Sequence, residues 1–124
     1  MGYEIIWEPP VGVIKRHFGK VTGKELLEVV LRTEGDKRFD GLHYVVNDFL
    51  DCTGITITDS ELEEIAAIDK AAFALNSKIR IAIVATHTEA VAAASAYINS
   101  PMNSFETRLF EAMPEARHWL EMKA

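Results

Sequence analysis

The run Ile79-Arg80-Ile81-Ala82-Ile83-Val84-Ala85 constrains the fold more than any other part of the chain. Apart from Arg80 it is apolar without alternation and rich in β-branched residues, the mark of a strand buried on both faces. Directly after it, Thr86 and Glu89 stand at capping-box spacing, where the hydroxyl accepts from a backbone N–H three residues on and the carboxylate reaches back. The alanine-rich stretch that follows predicts a helix to about Asn99, stopped by Ser100-Pro101 and able to lie close to a sheet. A buried strand that turns at once into a helix is the first half of a βαβ unit, so the strands around it run parallel.

The same order recurs upstream and downstream. Thr22 with Glu25 opens a helix whose apolar positions are Leu27, Val30 and Leu31, ended by Glu34-Gly35-Asp36. Leu42 to Phe49 reads as a strand and residues 50 to 57 as a loop around Gly54. A second helix begins at either Thr58…Glu61 or Ser60…Glu63, carries Ile65, Ile68, Ala72 and Leu75 on its inner stripe, and ends at Asn76. The buried strand, Lys78 to Ala85, comes next and reads as central. Phe105 to Phe110 is an edge strand guarded by Glu106 and Arg108, and Pro114 suits the first turn of a last helix with Ala116, Trp119 and Leu120 inward. At the start, Tyr3 to Trp7 and Val11 to Phe18 flank Glu8-Pro9-Pro10 as a hairpin, with Gly19 ending the second strand. On that strand Ile14, Arg16 and Phe18 share one face and Val13, Lys15 and His17 the other. The expected fold is a single α/β domain over residues 1–124: about five mostly parallel strands, an N-terminal antiparallel hairpin, and about four covering helices.

Composition narrows the function. Thirteen Lys and Arg against nineteen Asp and Glu give a net charge of −6 with no basic cluster, which argues against nucleic acid and anionic lipid surfaces as partners. A lone cysteine, Cys52, allows no internal disulfide and no multi-cysteine zinc site. The four histidines show no i, i+4 pair and no HExxH; GxGxxG, Walker A and GxSxG are absent, so neither a metal nor a cofactor is expected. With no secretory leader and no apolar span, the expected location is the cytoplasm.

In open α/β sheets, ligands sit beyond the carboxyl ends of the parallel strands. The candidate binding or switch residues there are Asp48, Asp51, Thr53, Thr58, Ser60, Thr86 and His87. Thr58, Ser60 and Thr86 are also explained as helix caps, and Asp48 as a local cap of backbone N–H groups. Cys52, His87 and Asp48 have the residue types of a nucleophile, base and orienter, which keeps a small enzyme open as an alternative, although no spacing brings them together. Residues 99–105, with Met102 and Phe105, edge an apolar groove beside the alanine-rich helix, form a dimer contact, or tuck inward.

The chain resembles the small STAS-like domains related to anti-sigma-factor antagonists, whose fold is likened to the CRAL-TRIO lipid-binding domain. The resemblance rests on the strand 79–85 before its alanine-rich helix, on Tyr44-Val45-Val46-Asn47-Asp48-Phe49, and on Arg108-Leu109-Phe110 followed by Ala116…Trp119-Leu120. It covers nearly the whole chain. In the phosphorylated regulators a serine stands in an Asp-Ser-Ser-Gly-Leu turn at a helix start. Asp51-Cys52-Thr53-Gly54-Ile55 is the nearest match here, which puts Thr53 in the modified position; counting from the helix start puts Thr58 or Ser60 there. The resemblance implies a non-catalytic regulatory module acting through an unknown protein partner and switched by phosphorylation, or else a carrier of a small apolar or lipid-like ligand. Small apolar-rich chains commonly pair, so a two-fold homodimer is expected.

Overall fold

The computed structural model describes residues 2–122. Five strands form one sheet in the order β1-β2-β3-β4-β5: β1 (Tyr3–Glu8), β2 (Gly12–Thr22), β3 (Tyr44–Thr56), β4 (Arg80–Val84) and β5 (Glu106–Phe110). β1 and β2 are antiparallel, and every later neighbour is parallel. The helices are α1 (Gly23–Glu34), α2 (Asp59–Leu75), α3 (Thr88–Ile98) and α4 (Met113–Glu121), with a short 3-10 helix at Lys37–Gly41. The expected α/β architecture is therefore the observed one. The middle strand is β3 rather than β4, although β4 is paired on both sides.

The two faces of the sheet are unequal. Val13, Val45, Ile81 and Ile83 point to the layer of α1, α2 and α3, which forms the larger core. Ile14, Val46, Ala82 and Val84 point the other way, onto Ala116 and Trp119 of α4. Alternate residues of one strand thus enter different cores, which is why 44–46 and 79–84 are so poor in polar positions. Four of these, Val13, Val46, Ala82 and Val84, are fully buried; each valine contributes roughly 1.5–3 kcal/mol by leaving water.

α4 is latched from both ends. Arg80 donates to Trp119 O and Met122 O at 2.8 Å each, satisfying carbonyls that a helix C-terminus leaves unpaired, and its guanidinium lies 3.9 Å over the Trp119 ring. Arg117 grips Glu8 with two hydrogen bonds of 2.5 and 2.7 Å; the Tyr44 hydroxyl donates to the same carboxylate. Gly12 lies against the Tyr44 ring with no room for a Cβ.

The caps settle the helix starts. Thr58 accepts from Glu61 N at 3.1 Å while its own N–H donates to Glu61 Oε1 at 2.9 Å, so the capping box is Thr58…Glu61 and not Ser60…Glu63. Thr22 accepts from Glu25 N at 3.2 Å. The box anticipated at Thr86 does not form: His87 is the cap of α3, its Nδ1 accepting from Glu89 N at 3.2 Å. Glu89 instead accepts from Ile55 N at 3.1 Å, tying the end of β3 to the start of α3.

Two strands run past their expected ends. β2 continues through Gly19 to Thr22, and β3 continues through the segment anticipated as a loop at 50–57, ending at Thr56. The pairing absorbs the breakers through register shifts between Arg16 and Phe18 and between Gly19 and Lys20. Gly19 takes a φ of +71°, open to glycine at no steric cost. Leu31 and Leu75, expected on buried stripes, are 57% and 79% exposed; the inner faces of their helices pass through Val29–Val30 and Ala72 instead. Asn76 does end α2, and its buried amide donates to Phe39 O at 2.9 Å and Leu42 O at 3.0 Å, fixing the 3-10 segment under the sheet edge.

Candidate functional site

No hydrogen bond among the described residues joins any two of the anticipated residues beyond β3, although Glu89 ties the end of that strand to the start of α3. Asp48 lies half-buried on the α4 side of β3 and accepts from Leu50 N at 3.0 Å, a local cap. Asp51 is exposed and pairs with Arg16 at 2.5 Å. Thr53 is exposed along β3, Ser60 is exposed in the first turn of α2, and Thr86 is exposed before α3. Thr58 and His87 are committed as caps. Cys52 is buried in the larger core, where desolvation raises its thiol pKa and holds it in the unreactive form. No hydrogen bond among the described residues joins Cys52, His87 and Asp48.

The chemistry lies instead inside the larger core. Between the sheet and the layer of α1, α2 and α3 there is a cavity of ≈ 100 Å³. Its floor is a row across the sheet set by strand register: Lys15 on β2 is paired to Asn47 on β3, and Asn47 to Ile83 on β4. Ile81, Val45 and Phe49 complete the floor, and Leu26, Val30, Ile65, Ala90, Ala94 and Phe105 supply apolar walls. The space lies beneath the alanine-rich helix, and Phe105 of the segment 99–105 tucks inward as one of its wall residues.

Four titratable side chains line this space: Lys15 from β2, Glu34 from the end of α1, Asp69 from α2 and Tyr97 from α3. Lys15 is 6% exposed and Asp69 8%. The Tyr97 hydroxyl donates to Asp69 Oδ2 at 2.5 Å, and burial together with that carboxylate raises the phenol's pKa. Burial, reinforced by the adjoining Asp69, pushes Glu34 up to about 9, so it carries its proton at neutral pH. Lys15 makes no hydrogen bond or ion pair with any described residue. Desolvation lowers its pKa more than Asp69 and Glu34 raise it. A buried amine without a hydrogen-bond partner is costly, and burial disfavours its charged form.

Beside this cluster, His17 follows Lys15 on the same face of β2. It is 1% exposed and stacked on Phe49 at 4.7 Å, and burial depresses it to about 4. Its Nδ1 has no hydrogen-bond partner among the described residues.

None of the four cavity residues stood among the anticipated site residues. A signal was present. Asp69 occupies the inner stripe that contains Ile65 and Ala72, and Tyr97 the stripe of Ala90 and Ala94; a carboxylate on an apolar helical stripe must be buried and answered.

No protein-family model matches the chain, and no curated protein matches it. Solved structures do. The anti-sigma factor antagonist SpoIIAA in its unphosphorylated form aligns with a TM-score of 0.62 at 9% identity, over 94% of this chain and 94% of that one. An uncharacterised protein of the DUF3478 family with a SpoIIAA-like fold, from Shewanella loihica PV-4, aligns with a TM-score of 0.54 at 16% identity, over 95% of this chain and 91% of that one. At such identities the likeness is one of fold, and it extends over nearly the full length of each chain. These likenesses show that the chain has a SpoIIAA-like fold.

Proposed function

We propose that this STAS-like domain is a non-catalytic binding module whose internal cavity holds a small, mainly apolar ligand with one polar group. The observation that carries this reading is Lys15: an amine 6% exposed, with no hydrogen-bond or ion-pair partner among the described residues, in the floor of a mainly apolar cavity. A ligand oxygen there would supply the missing hydrogen bond. Size bounds the ligand. An apolar cavity of about 150 Å³ takes up benzene, so ≈ 100 Å³ suits a somewhat smaller molecule. Native mass spectrometry of the protein from its own cells, set beside its denatured mass, tests the proposal. A noncovalent mass lost on denaturation supports it. So does a rise in melting temperature with small apolar probes: about 1.4 kcal/mol of stabilisation is expected at ten times Kd. Absence of both removes it.

A second reading is favoured by the likeness to SpoIIAA, an anti-sigma factor antagonist. Ser60 is exposed in the first turn of α2, and a phosphate at that place meets the positive end of a helix. Under this reading the domain is a regulatory module that presents α2 to a protein partner. A covalent phosphate on Ser60 or Thr53 supports it. Thr58 is the poorer acceptor, since its hydroxyl already holds the capping box. An unmodified mass from cells in every growth phase counts against it.

A further inference from the structure

The charges around the cavity restrict its occupant more narrowly than its shape does. The titratable groups that face the space are Lys15 from the sheet, Glu34 from α1, Asp69 from α2 and Tyr97 from α3; Asn47 is the neutral polar neighbour on the floor. Burial disfavours the charged forms of Lys15, Glu34 and Tyr97 alike, and Lys15 and Asp69 are the basic and acidic poles of the cluster. Asp69 already accepts from Tyr97, whereas Lys15 has donors to spare.

We infer that the cavity selects neutral, single-headed molecules, alcohols foremost, over acids and amines of the same size. This rests on the carrier reading above. A hydroxyl accepts from Lys15 Nζ and donates to a carboxyl oxygen of Asp69 or Glu34, so both faces of the cluster are answered by one oxygen. A carboxylate head brings a second anion beside Asp69. An amine head brings a second cation beside Lys15. Among mainly apolar walls either charged head meets a like group of the cluster as well as an opposite one. The net attraction is small, and the head group's hydration is lost. A ketone satisfies Lys15 alone and ranks second.

The test is a two-dimensional NMR titration of the full chain with butan-1-ol, butanoate and butylamine, read at the amides of Ile81, Ile83, Ala90 and Ala94. Xenon serves as a headless probe. Butan-1-ol is expected to bind at least about tenfold more tightly than either charged probe, a difference that one uncompensated charge supplies. Lys15→Met leaves Asp69 alone and is expected to reverse the order in favour of butylamine. Asp69→Asn leaves Lys15 alone and is expected to reverse it in favour of butanoate. If butanoate or butylamine binds the unmodified chain as well as butan-1-ol, the inference is overturned and the carrier reading stands. Entry of xenon without any butyl probe overturns it in the same way. If neither xenon nor butan-1-ol shifts these amides, the carrier reading itself falls. The ranking on the unmodified chain decides the matter even where a variant fails to fold.

Discussion

Lys15 sits on a strand face that is otherwise built for the core, between the fully buried Val13 and His17. Its ammonium gives up water without gaining a partner, so the residue opposes folding at the place where it would serve binding. Lys15→Met keeps the length and shape of the side chain and removes the charge. The variant is expected to be more stable than the parent at neutral pH, by about 1 kcal/mol or more, as when other buried charges give way to apolar isosteres. Urea denaturation followed by far-ultraviolet circular dichroism measures this. A less stable variant would mean that the ammonium is answered in solution, by Asp69 or by water. The site was hard to read in the sequence for a simple reason. Lysine and histidine on alternate positions of a strand beside arginine look like a solvated face, and Lys15 and Arg16 are neighbours in the sequence yet project to opposite sides of the sheet. Only the position of β2 under α1 and α2, which is tertiary information, tells the buried one from the exposed one.

At the scale of elements much was legible, because the signals are local. Thr58…Glu61 and Thr22…Glu25 cap helices as their spacing requires, and the apolar runs 44–46 and 80–84 are strands buried on both faces. The failures share a cause. Gly19 and Gly54 have the look of strand breakers, but β2 and β3 pair along their whole length and tolerate both, so the pairing overrides the local preference. At Thr86 the competing cap was the very next residue, and the imidazole of His87 took the N–H meant for a hydroxyl. The candidates Asp48, Asp51, Thr53 and Ser60 were placed by a rule about sheet edges and lie near that edge, but the cavity lies within the layer and not beyond it. α4 provides the test at this scale. It alone covers the second face, and Arg80 holds its last carbonyls. Arg80→Ala is expected to free α4 while leaving the other face intact. Hydrogen exchange should quicken in 113–121 at least tenfold relative to β3, since two charge-assisted hydrogen bonds are worth about 1.5–3 kcal/mol each. Equal acceleration in α4 and β3 would show that the two faces unfold as one.

For the whole molecule, two buried groups set opposite dependences of stability on pH. His17 is depressed from 6.5 to about 4 in the folded state. Between those values the unfolded chain binds the proton and the folded chain does not, so stability is complete above pH 6.5 and is lost as pH falls towards about 4. Glu34 is raised from 4.5 to about 9. There the folded chain holds the proton that the unfolded chain has released, so stability is complete below pH 4.5 and is lost as pH rises towards about 9. Each slope approaches 1.4 kcal/mol per pH unit where it acts alone. From about pH 4.5 to 6.5 the two oppose one another, and the urea midpoint should be nearly level. Above pH 6.5 Glu34 makes the midpoint fall, and Lys15, its pKa lowered by burial, opposes that fall. Below pH 4.5 the depressed carboxyls of Glu8 and Asp36 join His17, and it should fall again. Single substitutions separate the two limbs. Glu34→Gln should abolish the alkaline decline and turn the level region into a rise from pH 4.5 to 6.5, the trace of His17 alone. His17→Phe should do the reverse, leaving a fall from pH 4.5 to 9. A level profile at alkaline pH in both the unmodified chain and Lys15→Met would mean that Glu34 gives up its proton near neutrality, and the cavity would then be anionic and open to amines.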